Sequence, residues 1–181
     1  QMVPGMFHVS MRQLNLLYNF FYGGFMQPVQ TLLGWRRIRK DVTTRHQNCA
    51  RLATLMHEQC TRLLYVTWLK DIVSNVIPAE QRSLALAESF RSFVRELGTC
   101  NDEVLQYVLS FVDVSGDFVS MADSIRCGDY LESERLMIDW ISLWAVGGKT
   151  RYLKLSLRMI DVMYNTMSMP ELEETRLNWF V

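Results

Sequence analysis

Apolar residues recur along this chain at steps of three and four, and almost nowhere in strict alternation. In VSMRQLNLLYNFFY, Met11, Leu14, Leu17, Tyr18 and Phe21 take i, i+3 and i+4 positions, which predicts a helix ending at Gly23-Gly24. Pro28 opens a short helix that stops at Gly34. Asp41 or Thr43 caps a long helix running to about Asn75, its apolar face carrying Leu52, Leu55, Met56, Leu63 and Val66. After Pro78, AEQRSLALAESFRSFVRELG reads as a helix closed by Gly98. Asn101 caps the next one, with Asp102 and Glu103 in the first turn where the helix dipole favours anions, and Gly116 is a point where it kinks or splits. Gly128, Gly147-Gly148 and Pro170 punctuate the remainder, and Pro170 lies in the first turn of a last short helix. Only MVPGMFHV hints at a strand. The expectation is an all-α domain, an irregular bundle of about eight helices.

The length, 181 residues with 49% hydrophobic, fits one helical domain or a fragment of a longer chain and is ample for a core. The apolar end at Phe180-Val181 favours the fragment. Formal net charge is zero, but its distribution is uneven. Residues 1 to 70 carry nine Lys and Arg against Asp41 and Glu58, a net of +7, and residues 71 to 181 carry ten against seventeen, a net of −7. Either the halves pack on each other, or the basic part meets an anionic partner, or the charges are spread over an ordinary surface.

Four cysteines in a chain of this size do not make a disulfide framework; Cys49, Cys60, Cys100 and Cys127 read as buried thiols in a reducing, intracellular protein, nucleus and cytoplasm being indistinguishable. The longest apolar run, LLYNFFYGGFM, is interrupted by Asn19, Gly23 and Gly24 and is too short to span a bilayer, so no membrane association is expected.

The stretch HQNCARLATLMHEQC offers a zinc ligand set, His46, Cys49, His57 and Cys60. It lies inside one helix, because residues 43 to 75 contain no Gly or Pro. The two pairs share a face, but eleven residues separate His46 from His57, about 16.5 Å of helix axis. Ligands of one zinc ion lie within ~2.3 Å of it. One helix cannot bring both pairs to one ion, so these residues read as core and core-border positions, with no metal and no cofactor. Serine-hydrolase, P-loop and dinucleotide signatures are absent as well.

Trp35, Arg36, Arg37, Arg39 and Lys40 form the densest charge cluster, extended by Arg45 and Arg51. Arginines beside an aromatic suit phosphate contact and base stacking. The competing account is a solvated loop or one paired with the acidic half. Among the many carboxylates of the second half, Asp129, Asp139 and Asp161 are weak candidates for a metal-dependent site, which would need them to converge. Asp139 and Asp161 fall on apolar helix faces, and Arg135 and Arg158 stand four and three residues before them, so local ion pairs are the readier account.

Pro4-Gly5-Met6-Phe7-His8-Val9, then Gly128-Asp129-Tyr130 through Trp140, Gly148-Lys149-Thr150-Arg151-Tyr152, and Arg176-Leu177-Asn178-Trp179-Phe180-Val181 together resemble the motifs of a large family. It is a domain of unknown function, common in fungal and invertebrate mobile-element-related proteins. Its patterns are Pro-Gly-Asp-Phe/Trp-His and Gly-Asp-Gly…Trp…Gly-x-x-x-Tyr…Arg-Phe-Val. The resemblance covers most of the chain and is weakest in the middle. It implies a transposase relative whose ribonuclease-H-like core lies upstream, this chain being a helical C-terminal portion. Two positions depart from the pattern: Met6 replaces the family's Asp, and Tyr130 its second Gly. Methionine neither holds a hard metal ion nor accepts a proton.

The leading expectation is therefore a non-enzymatic helical domain of a mobile-element-derived protein, contacting nucleic acid or a protein through residues 35–51. The alternatives are a degenerate or incomplete metal-dependent nuclease, and a structural interaction module on which the rest of a longer chain docks near Trp179, Phe180 and Val181.

Overall fold

A computed structural model describes residues 6–35, 42, 45–73 and 82–178. Among them the fold is all-α, without strands. The elements are α1 (Met6–Phe21), a π-helical turn (Tyr22–Met26), α2 (Gln27–Leu32), α3 (His46–Val73), α4 (Arg82–Gly98) and α5 (Glu103–Cys127). They are followed by α6 (Tyr130–Asp139), α7 (Ile141–Val146), α8 (Thr150–Asn165) and α9 (Met169–Asn178). The strand hint at the start resolves into α1 from Met6 onward, and residues 1–5 lie outside the described residues.

Gly128 and Gly148 stop helices as expected, with φ of +72° and +65°, a region closed to most L side chains. In both, the following amide reaches back across the glycine: Asp129 N donates to Ser124 O at 2.8 Å, and Lys149 N to Trp144 O at 2.9 Å. Other boundaries differ from the pattern. Gly23-Gly24 does not end a helix but sits in the π turn, which leads straight into α2. Gly116 is carried through α5 without a break. The stretch between Gly128 and Gly147, which reads as one helix from its punctuation, is divided at Trp140 into α6 and α7. The cap of α5 is Asp102, whose Oδ1 accepts from Val104 N at 2.9 Å and Leu105 N at 3.1 Å; Asn101 is not the cap.

The predicted apolar face of α3 also needs correction. Leu63 is 68% exposed and Val66 43%. The buried line steps by four, from Leu52 and Met56 through half-buried Cys60 and Leu64 to Trp68. Each such step advances about 40° around the axis, so the inward direction turns by roughly 160° along the helix. A fixed-stripe reading fails for such a helix. The cysteines differ from expectation too: Cys49 is buried and Cys60 half-buried, but Cys100 and Cys127 are exposed.

The chain forms two compact units, one of Gln1–Ala50 with Gly116–Val181, the other of Arg51–Ser115. The dividing points fall inside α3 and α5. The partition cuts across the charge halves: the discontinuous unit holds thirteen basic and eleven acidic residues, the other six and eight. A chain of +7 and −7 halves thus folds into units of +2 and −2.

In the discontinuous unit Leu14, Leu17, Tyr18, Phe118, Leu136, Trp140 and Trp144 are buried. Trp140, Trp144 and Tyr152 follow one another at ring-centroid spacings of 5.4 Å, and Arg12 closes the row by donating from Nε to Tyr152 Oη at 3.1 Å. In the Arg51–Ser115 unit, Tyr65, Trp68 and Phe90 pack mutually, with centroids 5.1 to 5.9 Å apart. Trp68 Nε1 donates to Ser89 Oγ at 3.2 Å, tying α3 to α4.

Candidate functional site

The 35–51 segment starts where α2 ends. Trp35 N donates to Gln30 O at 3.0 Å, and the Gln30 side chain returns a bond from Nε2 to Trp35 O at 2.6 Å. Gln30 is buried and Trp35 half-buried, so the tryptophan is fixed at its backbone at the root of the basic stretch. Arg36, Arg37, Arg39 and Lys40 lie outside the described residues. Val42 is fully buried. Arg45 is exposed, and its carbonyl accepts Cys49 N at 3.0 Å as α3 begins. Arg51, six residues later, is exposed as well. Neither arginine forms an ion pair with a described carboxylate. Between them, Cys49 points inward, and its carbonyl accepts the Tyr18 hydroxyl at 2.9 Å. Burial drives that hydroxyl far above the usual tyrosine range.

His57 and Cys60 lie on α3, both half-buried. His57 Nδ1 is 2.9 Å from Ser115 Oγ on α5, and Ser115 is fully buried. Burial lowers the basicity of His57, partly offset by the Val112 carbonyl and the Glu58 charge. His46 is likewise lowered by burial, and the Cys60 thiol is raised. Among the described residues, no three His, Cys, Asp or Glu side chains gather as a metal site.

Asp129, Asp139 and Asp161 are all exposed, which corrects the placement of the last two on apolar faces. Each has a local partner. Asp129 caps α6, its Oδ1 accepting Glu132 N at 3.0 Å. Asp139 meets Arg135 Nη1 at 2.5 Å, the ion pair expected from their spacing. Asp161 takes a bond from Asn165 Nδ2 at 2.8 Å in place of the expected pair with Arg158.

The charge pair that sequence reasoning missed is buried. Glu134 on α6 is 2% exposed and is held by Arg176 on α9. The Tyr164 hydroxyl on α8 donates to the same carboxylate, and the Arg176 guanidinium lies 5.5 Å from the centre of the Tyr130 ring. The only sequence signal was an acidic residue between Ser133 and Leu136 on a face that turns inward.

The residues that carry the family resemblance hold structural posts. Met6 is buried, Gly128 and Asp129 form the helix stop and cap, and Trp140 is fully buried. Tyr152 receives Arg12, and Arg176 holds Glu134. Trp179, Phe180 and Val181 lie outside the described residues. Comparison with family models, with curated proteins and with solved structures returns no match. Among the described residues, no helix is long and apolar enough to cross a membrane.

Proposed function

We propose that this chain is a non-enzymatic helical domain that meets nucleic-acid phosphates through its 35–51 segment. On the strength of the family resemblance, it works inside a mobile-element-derived, intracellular protein. The observation that carries the reading is the exposure of Arg45 and Arg51, without a described acidic partner, in a segment with six basic residues and only Asp41 to oppose them. An exposed cation is fully available to displace counterions from a phosphate backbone, and that displacement supplies sequence-independent affinity. The catalytic alternative has less support, since Asp129 and Asp139 are occupied in capping and pairing α6, and Asp161 in a bond within α8.

The test is fluorescence anisotropy of labelled single- and double-stranded DNA over a salt series. The wild-type chain is compared with a variant carrying Ala at Arg36, Arg37, Arg39 and Lys40. The expected result is binding that weakens steeply with salt, with a slope shallower by about 3.6 in the variant, at ~0.9 per duplex phosphate contact. Absence of binding at 50 mM salt overturns the reading.

A further inference from the structure

We propose that the outer face of α8 is a second phosphate-contacting surface, built from Arg151, Lys154 and Arg158. All three are exposed. At 100° per residue they fall within about 60° of one another, and they span roughly 10.5 Å of axis. The opposite side of α8 is buried through Ser156, Met159 and Met163, so the helix is fixed with its cations outward. None of the three forms an ion pair with a described carboxylate. One acid, Asp161, shares the face and is bonded to Asn165.

The position of the cations is the telling feature. The first turn of α8 contains no acidic residue, and Arg151 stands in it, where the helix dipole disfavours positive charge; Lys154 and Arg158 continue its line along the next two turns. Among the described residues, no carboxylate forms an ion pair with Arg151. A local rule broken without local compensation marks a position kept for something outside the fold.

The chemistry favours a nucleic-acid backbone over a lipid surface. A membrane-lying helix sinks a continuous apolar face into the headgroup boundary, whereas Met159 and Met163 of α8 are buried in the protein and the large apolar side chains it exposes are Leu157 and Tyr164, the latter bonded to Glu134 through its hydroxyl. A nucleic-acid strand offers one phosphate per ~3.4 Å of rise, so 10.5 Å of helix faces about three of them. This surface shares its class of partner with the 35–51 reading but rests on different residues.

The test is anisotropy of a labelled mixed-sequence duplex between 50 and 200 mM salt, on the full chain. Wild type is compared with Arg151→Ala/Lys154→Ala/Arg158→Ala, with the 36–40 alanine variant, and with the charge-keeping Arg151→Lys/Arg158→Lys. Losing three contacts lowers the salt slope by about 2.7, so the triple variant loses roughly 40-fold less affinity than wild type over that range. The charge-keeping variant retains the wild-type slope. Melting curves establish that each variant is folded. If the triple variant does not fold, single Arg151→Gln and Arg158→Gln changes take its place, each lowering the slope by ~0.9. A folded triple or single variant with the wild-type slope overturns the proposal, and so does binding to phosphatidylserine vesicles without binding to DNA. An unchanged slope in the 36–40 variant beside a lowered one in the triple variant rejects the loop reading and leaves this one standing. The reverse pattern rejects this one alone.

Discussion

Arg176 grips Glu134 with two guanidinium nitrogens, Nε to Oε2 at 3.0 Å and Nη2 to Oε1 at 3.2 Å, across a sequence separation of 42. The side chains are 12% and 3% exposed, so both charges are largely out of water. α9 is otherwise polar: Leu172 is its one core residue with a described side chain, and Glu171, Glu173 and Glu174 are exposed. The pair therefore has a large share in docking α9. Removing Arg176 alone, as Arg176→Ala, leaves a buried carboxylate without a cation and is expected to cost about 3–5 kcal/mol. Glu134→Leu with Arg176→Met should cost far less, because no stranded charge remains. Urea unfolding of both variants checks this; equal losses would show that packing, not the charge, sets the cost.

Gly147 and Gly148 are neighbours with different reasons to be glycine. A Cβ at Gly147 would lie 2.3 Å from Cδ2 of the fully buried Leu16, although its φ of −77° is ordinary. A Cβ at Gly148 meets nothing within 4 Å, but φ is +65°. Gly147→Ala is expected to cost about 1–3 kcal/mol by overpacking, recovered in part by Leu16→Val. Gly148→Ala should cost about 1–2 kcal/mol from backbone strain and be unaffected by Leu16→Val. A double-mutant cycle on unfolding free energies separates the two; coupling of Gly148 to Leu16 would contradict this assignment.

Asp102 and Asp129 cap α5 and α6 through their carboxylates. Asp102→Ala and Asp129→Ala are each expected to lose about 1 kcal/mol, while Asn101→Ala is nearly silent. Thermal melts of the three variants decide whether the cap is Asp102 or its neighbour.

His57 and His46 have basicities lowered by burial from the ordinary 6.5. As pH falls, the unfolded chain takes up these protons before the folded one does, so acid favours unfolding. The unfolding free energy is expected to be level above about pH 6.5 and to fall below it. His57→Gln should make that fall shallower. Asp113, whose carboxyl is raised from 3.8 by burial, works in the opposite sense at lower pH. Denaturant titrations from pH 5 to 8 test this; a slope below pH 6.5 identical in His57→Gln and wild type would refute the role of His57.

The helix content was legible because the chain is punctuated by few residues, each with a physical reason. Gly128 and Gly148 take backbone angles that other residues avoid, and Asp129 combines a short side chain with the right offset from Glu132. The glycines that misled, Gly23, Gly24 and Gly116, are those where helix packing tolerates a residue that local propensity disfavours. The Trp140 break between α6 and α7 has no turn residue to announce it. The Glu134 and Arg176 pair was illegible for another reason: a contact over 42 residues leaves no spacing to recognise. Of the candidate interface, Trp35 stands just after α2, Arg45 just before α3 and Arg51 within it, and the outward cations of α8 became visible only once the buried side of that helix was known.

The insertion of residues 51–115 between the two pieces of their companion unit sets an order on synthesis. Leu16 and Arg12 leave the ribosome before Gly147 and Tyr152, which they meet and which follow some 130 to 140 residues later. At about 5–20 residues per second, Leu16 and Arg12 wait on the order of ten seconds for these partners, whereas Tyr18 meets Cys49 only 31 residues on. The inserted unit can close during that interval from contiguous chain. Until then this part of nascent α1 is open to chaperone capture, and α8, by returning Tyr152 to Arg12, helps end its exposure.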